Sequence, residues 1–252
     1  MWSARDLVHL ESGGNGEPLL LLLHGLGATA AVWSRFIALV DQNWQGRWAA
    51  PDLPGHGGSG RLGQYGLNDY ATALAPVVEG EKQVWIIGHS LGGAIALELA
   101  SHAFDFPVAG VFGLGIKTSW DAAELTRFEA LAERAPRTFE DRSAAEVHHA
   151  KSSGLSGSAA TSVNLARGVV NCEAGWRPTM DLRAYAVEPP PMGRYVEAAR
   201  CGLHLARGAA DPMVTLEQLR AYDPQAADIP DAGHNAMIDQ PAALWNWFNR
   251  CR

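Results

Sequence analysis

Residues 84–93 read Val-Trp-Ile-Ile-Gly-His-Ser-Leu-Gly-Gly, and this stretch decides the fold. Its first four residues form an apolar run that is typical of a strand buried on both faces of a parallel sheet. The next residues place Ser90 in a G-x-S-x-G pattern, and the small and leucine-rich run 91–103 predicts a buried helix. A serine between such a strand and helix predicts a sharp turn that exposes its hydroxyl. Gly88 and Gly92 are needed because side chains there would collide with the neighbouring strand and helix.

Further apolar runs alternate with helical patterns along the chain. The runs 19–23, 108–114 and 203–206 predict strands, and the patterns 32–40 and 242–248 predict amphipathic helices. Strands that alternate with helices through short turns predict an α/β protein with a mostly parallel central sheet flanked by helices.

The stretch 116–186 interrupts this alternation. It contains no strand-like run before the short pair 169–170, and it shows helical patterning, including a capping-box pattern at 143–146. We therefore predict a helical cap over residues 116–186, which is a subdomain and not an independent domain. It would be inserted into a core formed by residues 1–115 and 187–252, and it would pack over the carboxyl edge of the sheet.

Composition and charge exclude several classes of function. The 252 residues include 20 Lys and Arg against 27 Asp and Glu, which gives a net charge of −7. No basic run could neutralise phosphates, so no nucleic-acid partner is expected, and an acidic chain is not expected to bind anionic membranes. The first residues lack the pattern of a signal peptide, and no apolar run could span a bilayer. These features predict a cytoplasmic protein that acts on a small-molecule substrate, and they leave open whether it forms a homodimer.

The cysteines predict neither a disulfide framework nor a metal site. Cys172, Cys201 and Cys251 are odd in number and have no metal-ligand spacing. Reduced thiols in a reducing compartment are the expected state. We expect no metal and no cofactor.

A serine nucleophile needs a histidine base, and the base needs an acid that orients it. Only His204 and His234 follow the predicted cap. His204 lies inside an apolar strand pattern, which favours a structural role. His234 lies in a loop before the last predicted helix, and it is the predicted base.

The acid is expected at the end of a strand that precedes the base. Asp211 lies in the turn after the run 203–206 and is the predicted acid. Asp231 is the competitor. It lies only three residues before His234, so its carboxylate could not easily approach the His234 ring from the end of a different strand. Asp121 is a weaker candidate.

Two backbone N–H groups are the expected oxyanion donors. One belongs to Leu91, directly after the nucleophile, and the other to Leu26, in the turn after the first long strand. His24, at the start of that turn, and His89, beside the nucleophile, are interpreted as structural histidines.

Together these motifs resemble the α/β-hydrolase superfamily, in its cap-bearing serine esterase-like branch. They span most of the chain in the family's order, and they are residues 24–27, 52–59, 88–93, 208–211 and 233–234. The loop 52–59 is a family marker in which Asp52 and His56 are interpreted as hydrogen-bonding struts. The cap carries no motif of a named subfamily.

The resemblance implies a serine hydrolase that cleaves carboxylic esters of small to medium, hydrophobic substrates through Ser90, His234, Asp211 and an acyl-enzyme. A serine rather than an aspartate at the nucleophile position disfavours epoxide hydrolases and haloalkane dehalogenases. The alternative is a carbon–carbon bond hydrolase, or a cofactor-free lyase, that uses the same triad on diketone-like substrates. A third hypothesis is a ligand-binding protein on this fold.

The substrate pocket is expected between the sheet edge and the cap. Large apolar side chains near these regions are candidate wall residues: Trp33, Trp120, Leu125, Phe128, Leu155, Trp176, Met213 and Met237. Two cations, Lys117 and Arg177, are candidates for contact with a substrate carboxylate.

Overall fold

A seven-stranded sheet forms the centre of the computed structural model, which describes residues 7–101, 104–155 and 158–252. The strands lie in the order β1-β3-β2-β4-β5-β8-β9, and all neighbours are parallel except β1 and β3. This arrangement confirms the predicted mostly parallel α/β sheet. The strand bounds are β1 Leu10–Gly14, β2 Leu19–Leu23, β3 Arg47–Pro51, β4 Val84–His89, β5 Val108–Leu114, β8 Gly202–Gly208 and β9 Ala227–Ile229.

Helices cover both faces of this sheet. Those of the core are α1 Ser34–Asn43, α2 Leu67–Val78, α3 Leu91–Leu99, α7 Met192–Ala198, α8 Leu216–Arg220, α9 Ala236–Asp239 and α10 Pro241–Cys251. The all-leucine strand β2 shows how the two faces are divided, because successive side chains of a strand point to opposite faces. Leu20 and Leu22 pack in one cluster with α1 and α10, whereas Leu19, Leu21 and Leu23 pack in the other with α2 and α3.

The stretch between β5 and α7 contains helices and one hairpin. Its helices are α4 Ala122–Ala132, α5 Arg142–Ser152 and α6 Ser158–Thr161, and its antiparallel hairpin is β6 Val169–Cys172 with β7 Gly175–Pro178. Two 3-10 turns, Leu165–Gly168 and Leu182–Ala186, flank the hairpin. The stretch 116–186, which we continue to call the cap, is therefore not purely helical, because the pair 169–170 begins a strand that pairs with a second strand of the same stretch.

Several local predictions need correction. The predicted capping box at 143–146 is wrong, because Asp141 is the residue that caps α5, accepting the N–H of Ala144 at 2.8 Å. The predicted helix 91–103 ends at Leu99, and residues 102–103 lie outside the described residues. No pattern in the sequence predicts β1, an edge strand with glycine and serine, or β3, which is rich in alanine. The N-terminal prediction concerns residues 1–6, which also lie outside the described part.

Cys172, Cys201 and Cys251 are free thiols. Within the described ranges, no helix is both long and apolar enough to cross a membrane, and no group of three or more His, Cys, Asp or Glu is arranged to hold a metal ion.

Candidate active site

Ser90 stands on a strained turn between β4 and α3. Its φ of 51° and ψ of −116° lie in a region that non-glycine residues rarely occupy. A Cβ on Gly88 would lie 2.4 Å from the carbonyl oxygen of Gly92, and one on Gly92 would lie 2.4 Å from that of Leu23. Both positions therefore require glycine, as predicted. The N–H of Ser90 donates to the carbonyl of Leu114 at 2.8 Å, which ties the turn to the end of β5.

Asp211 and His234 form a hydrogen-bonded pair beside this turn. His234 Nδ1 lies 2.8 Å from Asp211 Oδ2, and the Asp211 side chain is fully buried. Because a carboxylate only accepts hydrogen bonds, Nδ1 carries the proton and the lone pair of Nε2 stays available. The other oxygen, Oδ1, accepts the N–H of Met213 at 2.8 Å, so both oxygens of the acid are held.

Ser90 and His234 line the same cavity. Among the described residues no hydrogen bond joins their side chains. In the absence of substrate, catalytic hydrogen bonds are commonly long and shorten only in the reacting complex.

The competing candidates for acid and base have other roles. Asp231 is exposed at a positive φ of 55° in a turn. Asp121 caps α4 by accepting the N–H of Glu124. His204 stacks on Phe112, with ring centroids 4.8 Å apart, as expected for a histidine on the sheet face.

Gly115 is a residue of this site that the sequence patterns did not reveal. It follows β5 with a φ of 62°. A Cβ there would lie 3.2 Å from Cε1 of His234 and 3.3 Å from Oδ2 of Asp211. Glycine at this position therefore lets the acid–base pair pack against the end of β5. The signal available in the sequence was only a glycine at the end of a strand.

Leu26 and Leu91 both contribute to the walls of the cavity. In the part of the chain that the structure describes, the N–H groups of these two residues have no hydrogen-bond acceptor. Leu91 is the first residue of α3, whose N-terminal N–H groups carry the positive end of the helix dipole. A Cβ on Gly25 would lie 3.2 Å from that of Ser90, so glycine lets the Leu26 turn approach the nucleophile.

His24 and His56 act as struts under this turn. His24 Nε2 accepts the N–H of Leu53 at 2.8 Å, and its Nδ1 donates to the carbonyl of Gly25 at 2.8 Å. His56 bonds in the same way, accepting from the N–H of Gly27 at 3.1 Å and donating to the carbonyl of Pro54 at 3.1 Å. Both rings are therefore neutral. Burial lowers the pKa of His24, and it lowers the pKa of His56 to about 3.

Asp52 braces the same region. Its buried carboxylate accepts the N–H of Ala30 at 2.8 Å and the N–H of Gly58 at 2.9 Å. The hydrogen bonds of Asp52 and His56 connect the turn 24–30 with the loop 52–59, which corresponds to the predicted role of these two residues as struts.

His89 contacts the base directly. Its Nε2 donates to the backbone carbonyl of His234 at 2.9 Å, and the two ring centroids are 4.5 Å apart. Burial holds the pKa of His89 well below its usual range, with a further lowering by the neighbouring His234. The neutral ring therefore ties the loop of the base to the turn of the nucleophile, which is more specific than the structural role expected from sequence.

The cavity has a volume of about 260 Å³ and lies between the sheet and the cap. Of the candidate wall residues, Trp120, Phe128 and Met213 line it. Trp120 and Phe128 pack edge to face with centroids 5.1 Å apart. Lys117 also lines the cavity, whereas Arg177 donates to the carbonyl of Pro178 and lies outside it.

The other candidate wall residues lie elsewhere, which corrects that part of the expectation. Trp33 and Met237 are completely buried in the hydrophobic core beside α1 and α10. Trp176 lies in β7 and pairs with Phe139. Leu125 points to solvent, and Leu155 is buried among core residues. An apolar residue type alone does not distinguish a cavity wall from the core.

The sequence patterns also missed several wall residues. They include Tyr185, which packs against Phe128, and three charged residues, Arg127, Lys151 and Glu188. Their positions depend on how the cap helices are rotated, and no local motif encodes this.

A sequence profile described as the alpha/beta hydrolase family matches residues 20–247, which is most of the chain. The chain belongs to this family. The predicted resemblance to this family and the predicted α/β fold are thus confirmed.

Several relatives match part of this chain. It is 37% identical to the magnesium-chelatase 30 kDa subunit of Rhodobacter capsulatus over 127 residues, which are 49% of this chain and 40% of that protein. It is 28% identical to protein phosphatase methylesterase 1 of Bos taurus over 178 residues, which are 68% of this chain and 47% of that protein. In both cases the match spans less than half of the relative's length.

Solved structures share the same fold. The structure of E-2-(acetamidomethylene)succinate hydrolase superimposes with a TM-score of 0.80 at 21% sequence identity, and the match covers 97% of this chain and 94% of the other. At this identity the likeness concerns the fold alone.

Proposed function

We propose that this alpha/beta hydrolase is a serine esterase that cleaves carboxylic esters of small substrates through an acyl-enzyme. The observation that carries the proposal is the arrangement of Ser90 on its strained turn and the Asp211–His234 pair around one cavity. A relative named as a methylesterase is consistent with ester hydrolysis.

The free lone pair of His234 Nε2 gives the histidine the role of general base. It takes the proton of Ser90 as the hydroxyl oxygen attacks the ester carbonyl, and it returns that proton to the leaving alcohol. Water then attacks the acyl-enzyme by the same route. Asp211 keeps the proton on Nδ1 and stabilises the imidazolium that forms in each step.

The unpaired N–H groups of Leu26 and Leu91 are the proposed oxyanion donors. They face developing negative charge on the carbonyl oxygen, where fixed donors in a site shielded from water lower the barrier. Loss of one such donor typically costs about 10²–10³ in rate. The struts His24 and His56 hold the Leu26 turn in place before substrate arrives.

The size of the cavity limits the substrate. Its volume of about 260 Å³ lies just below the range of about 300–1,000 Å³ that is usual for ligand sites. Together with Trp120 and Phe128 in the walls, this favours a short acyl or alcohol group with apolar character.

The proposal is tested with p-nitrophenyl esters of short acids and with a fluorophosphonate probe. Native protein should cleave the esters and gain one probe adduct by mass spectrometry, and Ser90→Ala should lose both. Ser12→Ala, which removes an exposed hydroxyl on β1, is the matched control and should behave like native protein. An inert and unlabelled native protein would refute the proposal. Turnover of a ring-opened diketone with no ester turnover would favour carbon–carbon bond hydrolysis instead.

A further inference from the structure

The charge of the cavity is opposite to that of the whole chain. The chain has a net charge of −7. The charged residues that line the cavity are three cations, Lys117, Arg127 and Lys151, and one carboxylate, Glu188. Within the described residues, Glu188 forms no ion pair with any of these cations.

Two of the three cations form no close ion pair in the described part of the chain. Lys117 is paired with Glu124 and lies 4.8 Å from the centre of the Trp120 ring, so its charge is largely compensated. Arg127 and Lys151, by contrast, form no ion pair and no side-chain hydrogen bond in the described part of the chain. They come from two different cap helices, α4 and α5, yet they border one small cavity. Arg127 and Lys151 are both exposed, and two cations that border one cavity attract an anion into it.

We propose that the site selects esters that carry a carboxylate at the end remote from the scissile bond, such as half-esters of short dicarboxylic acids. Arg127 and Lys151 bind this carboxylate, while the ester carbonyl lies at Ser90. This inference rests on the proposed esterase function and adds the substrate class. The same cavity is lined by Ile116 and Phe128, so an apolar spacer suits the middle of the substrate. The planar guanidinium of arginine can bind both oxygens of a carboxylate at once.

A matched pair of substrates isolates the carboxylate. Monomethyl adipate and methyl hexanoate have the same ester and nearly the same length, and they differ in the terminal carboxylate. We expect native protein to cleave the half-ester with a kcat/KM about tenfold or more above that of methyl hexanoate, the size of a charge-assisted contact at a partly exposed site. Added salt should lower this ratio, because it screens exposed charges.

Substitutions test which cations are responsible. Arg127→Gln and Lys151→Gln should each lower the ratio of kcat/KM values several-fold, chiefly through a higher KM for the half-ester. Arg134→Gln removes the same charge just beyond the end of α4, outside the cavity, and should leave the ratio unchanged. A ratio near one in native protein, or an equal effect of Arg127→Gln and Arg134→Gln, would overturn the inference.

A binding measurement separates this inference from the proposed function. Adipate itself has no ester, and its binding should raise the Tm of native protein and of Ser90→Ala, but not of the Arg127→Gln, Lys151→Gln double variant. A Tm shift without any ester cleavage would refute the esterase and retain the carboxylate site. Ester cleavage without a Tm shift or half-ester preference would do the reverse.

Discussion

Helices α3 and α4 border the same cavity but differ in how they are held. Every residue of α3 except Glu98 is buried, whereas α4 has no buried residue. The core helix follows a turn in which backbone atoms approach so closely that only glycine fits, and Ser90, the proposed nucleophile, precedes its first residue. The cap helix contributes Arg127, Phe128 and Leu131 to the cavity, and it packs against the 3-10 turn Leu182–Ala186.

The cap is joined to the core by hydrogen bonds, ion pairs and buried apolar side chains. Ser153, after α5, shares its hydroxyl proton between the carbonyls of Gly27 at 2.7 Å and His149 at 2.8 Å. Near the C-terminal end of the cap, Thr179 accepts the N–H of Gly57 at 3.0 Å, and the N–H of Asp181 donates to the carbonyl of Gly55 at 2.7 Å. In the proposed function, the core carries the reacting groups and the cap contributes side chains that contact the substrate.

The largest effect is expected from Asp211→Asn. An amide at this position can donate to Nδ1 of His234, which would favour the tautomer that lacks a free lone pair on Nε2. We expect kcat to fall by about 10⁴ with little loss of stability. Asp231→Asn is the control, since Asp231 is exposed and asparagine tolerates its positive φ. If Asp211→Asn kept more than a tenth of the native kcat, the assigned acid would be wrong.

Gly92→Ala tests the rigidity of the core turn. The new methyl group would lie 2.4 Å from a backbone oxygen of β2, and backbone cannot give way cheaply. We expect a loss of about 3 kcal/mol in the free energy of unfolding, measured with urea. Gly193→Ala in α7 is the matched substitution, because a Cβ there has no neighbour within 4 Å, and it should be neutral or slightly stabilising. Equal effects at the two positions would contradict the rigid turn.

Acid should weaken the interface between cap and core. Burial lowers the pKa of His149, in the cap, to about 4 and that of His56, in the core, to about 3. Both values lie below the 6.5 of an unfolded histidine, so the unfolded chain binds more protons and stability falls as the pH drops below about 6.5. Each histidine contributes about 1.4 kcal/mol per pH unit until its folded pKa is reached.

Urea unfolding at pH 7.0 and 5.5 measures this loss. His149→Gln should reduce the difference between the two pH values, because one neutral histidine is removed. His148→Gln is a close control, since His148 is only partly buried on the same helix. Identical pH dependence in native protein and His149→Gln would exclude a contribution from the cap histidine.

The smallest effect is expected from Ser153→Ala. Loss of its hydroxyl leaves the carbonyl of Gly27 without this donor and should cost about 1 kcal/mol of stability. Ser143→Ala, at an exposed position of α5, should stay within about 0.5 kcal/mol of native protein. A Ser153→Ala variant as stable as Ser143→Ala would show that the cap does not depend on this contact.

The core was more predictable from sequence than the cap, because close backbone contacts and strand topology restrict which residues can occupy its positions. At Gly88 and Gly92 the backbone leaves no room for a side chain, so glycine at these two positions reveals the turn in the sequence itself. Asp211 and His234 follow strand ends that the parallel topology brings together, and the structure places them in hydrogen-bond contact.

In the cap, by contrast, residues of the same type occupy different environments. Trp120 and Trp176 are both aromatic residues of the cap region, yet one lines the cavity and the other lies in a hairpin. Trp33 and Met237 were expected at the cavity and lie in the core. No sequence pattern predicts Arg127 at the cavity, because a charged residue on a helix usually faces solvent. The rotation of each helix is a tertiary property, which composition and periodicity do not encode.

The hydroxyl of Ser153 has a consequence for protein engineering. It donates to the carbonyl of Gly27, whose neighbour Leu26 supplies a proposed oxyanion donor, so the cap is hydrogen-bonded to the turn that carries this proposed donor. A chimera that exchanges the segment between β5 and α7 for that of another hydrolase would therefore transplant specificity only if the graft reproduces this fastening. Grafts that keep a serine at this position should retain turnover numbers close to those of the recipient, whereas grafts without it should bind their new substrates and convert them slowly.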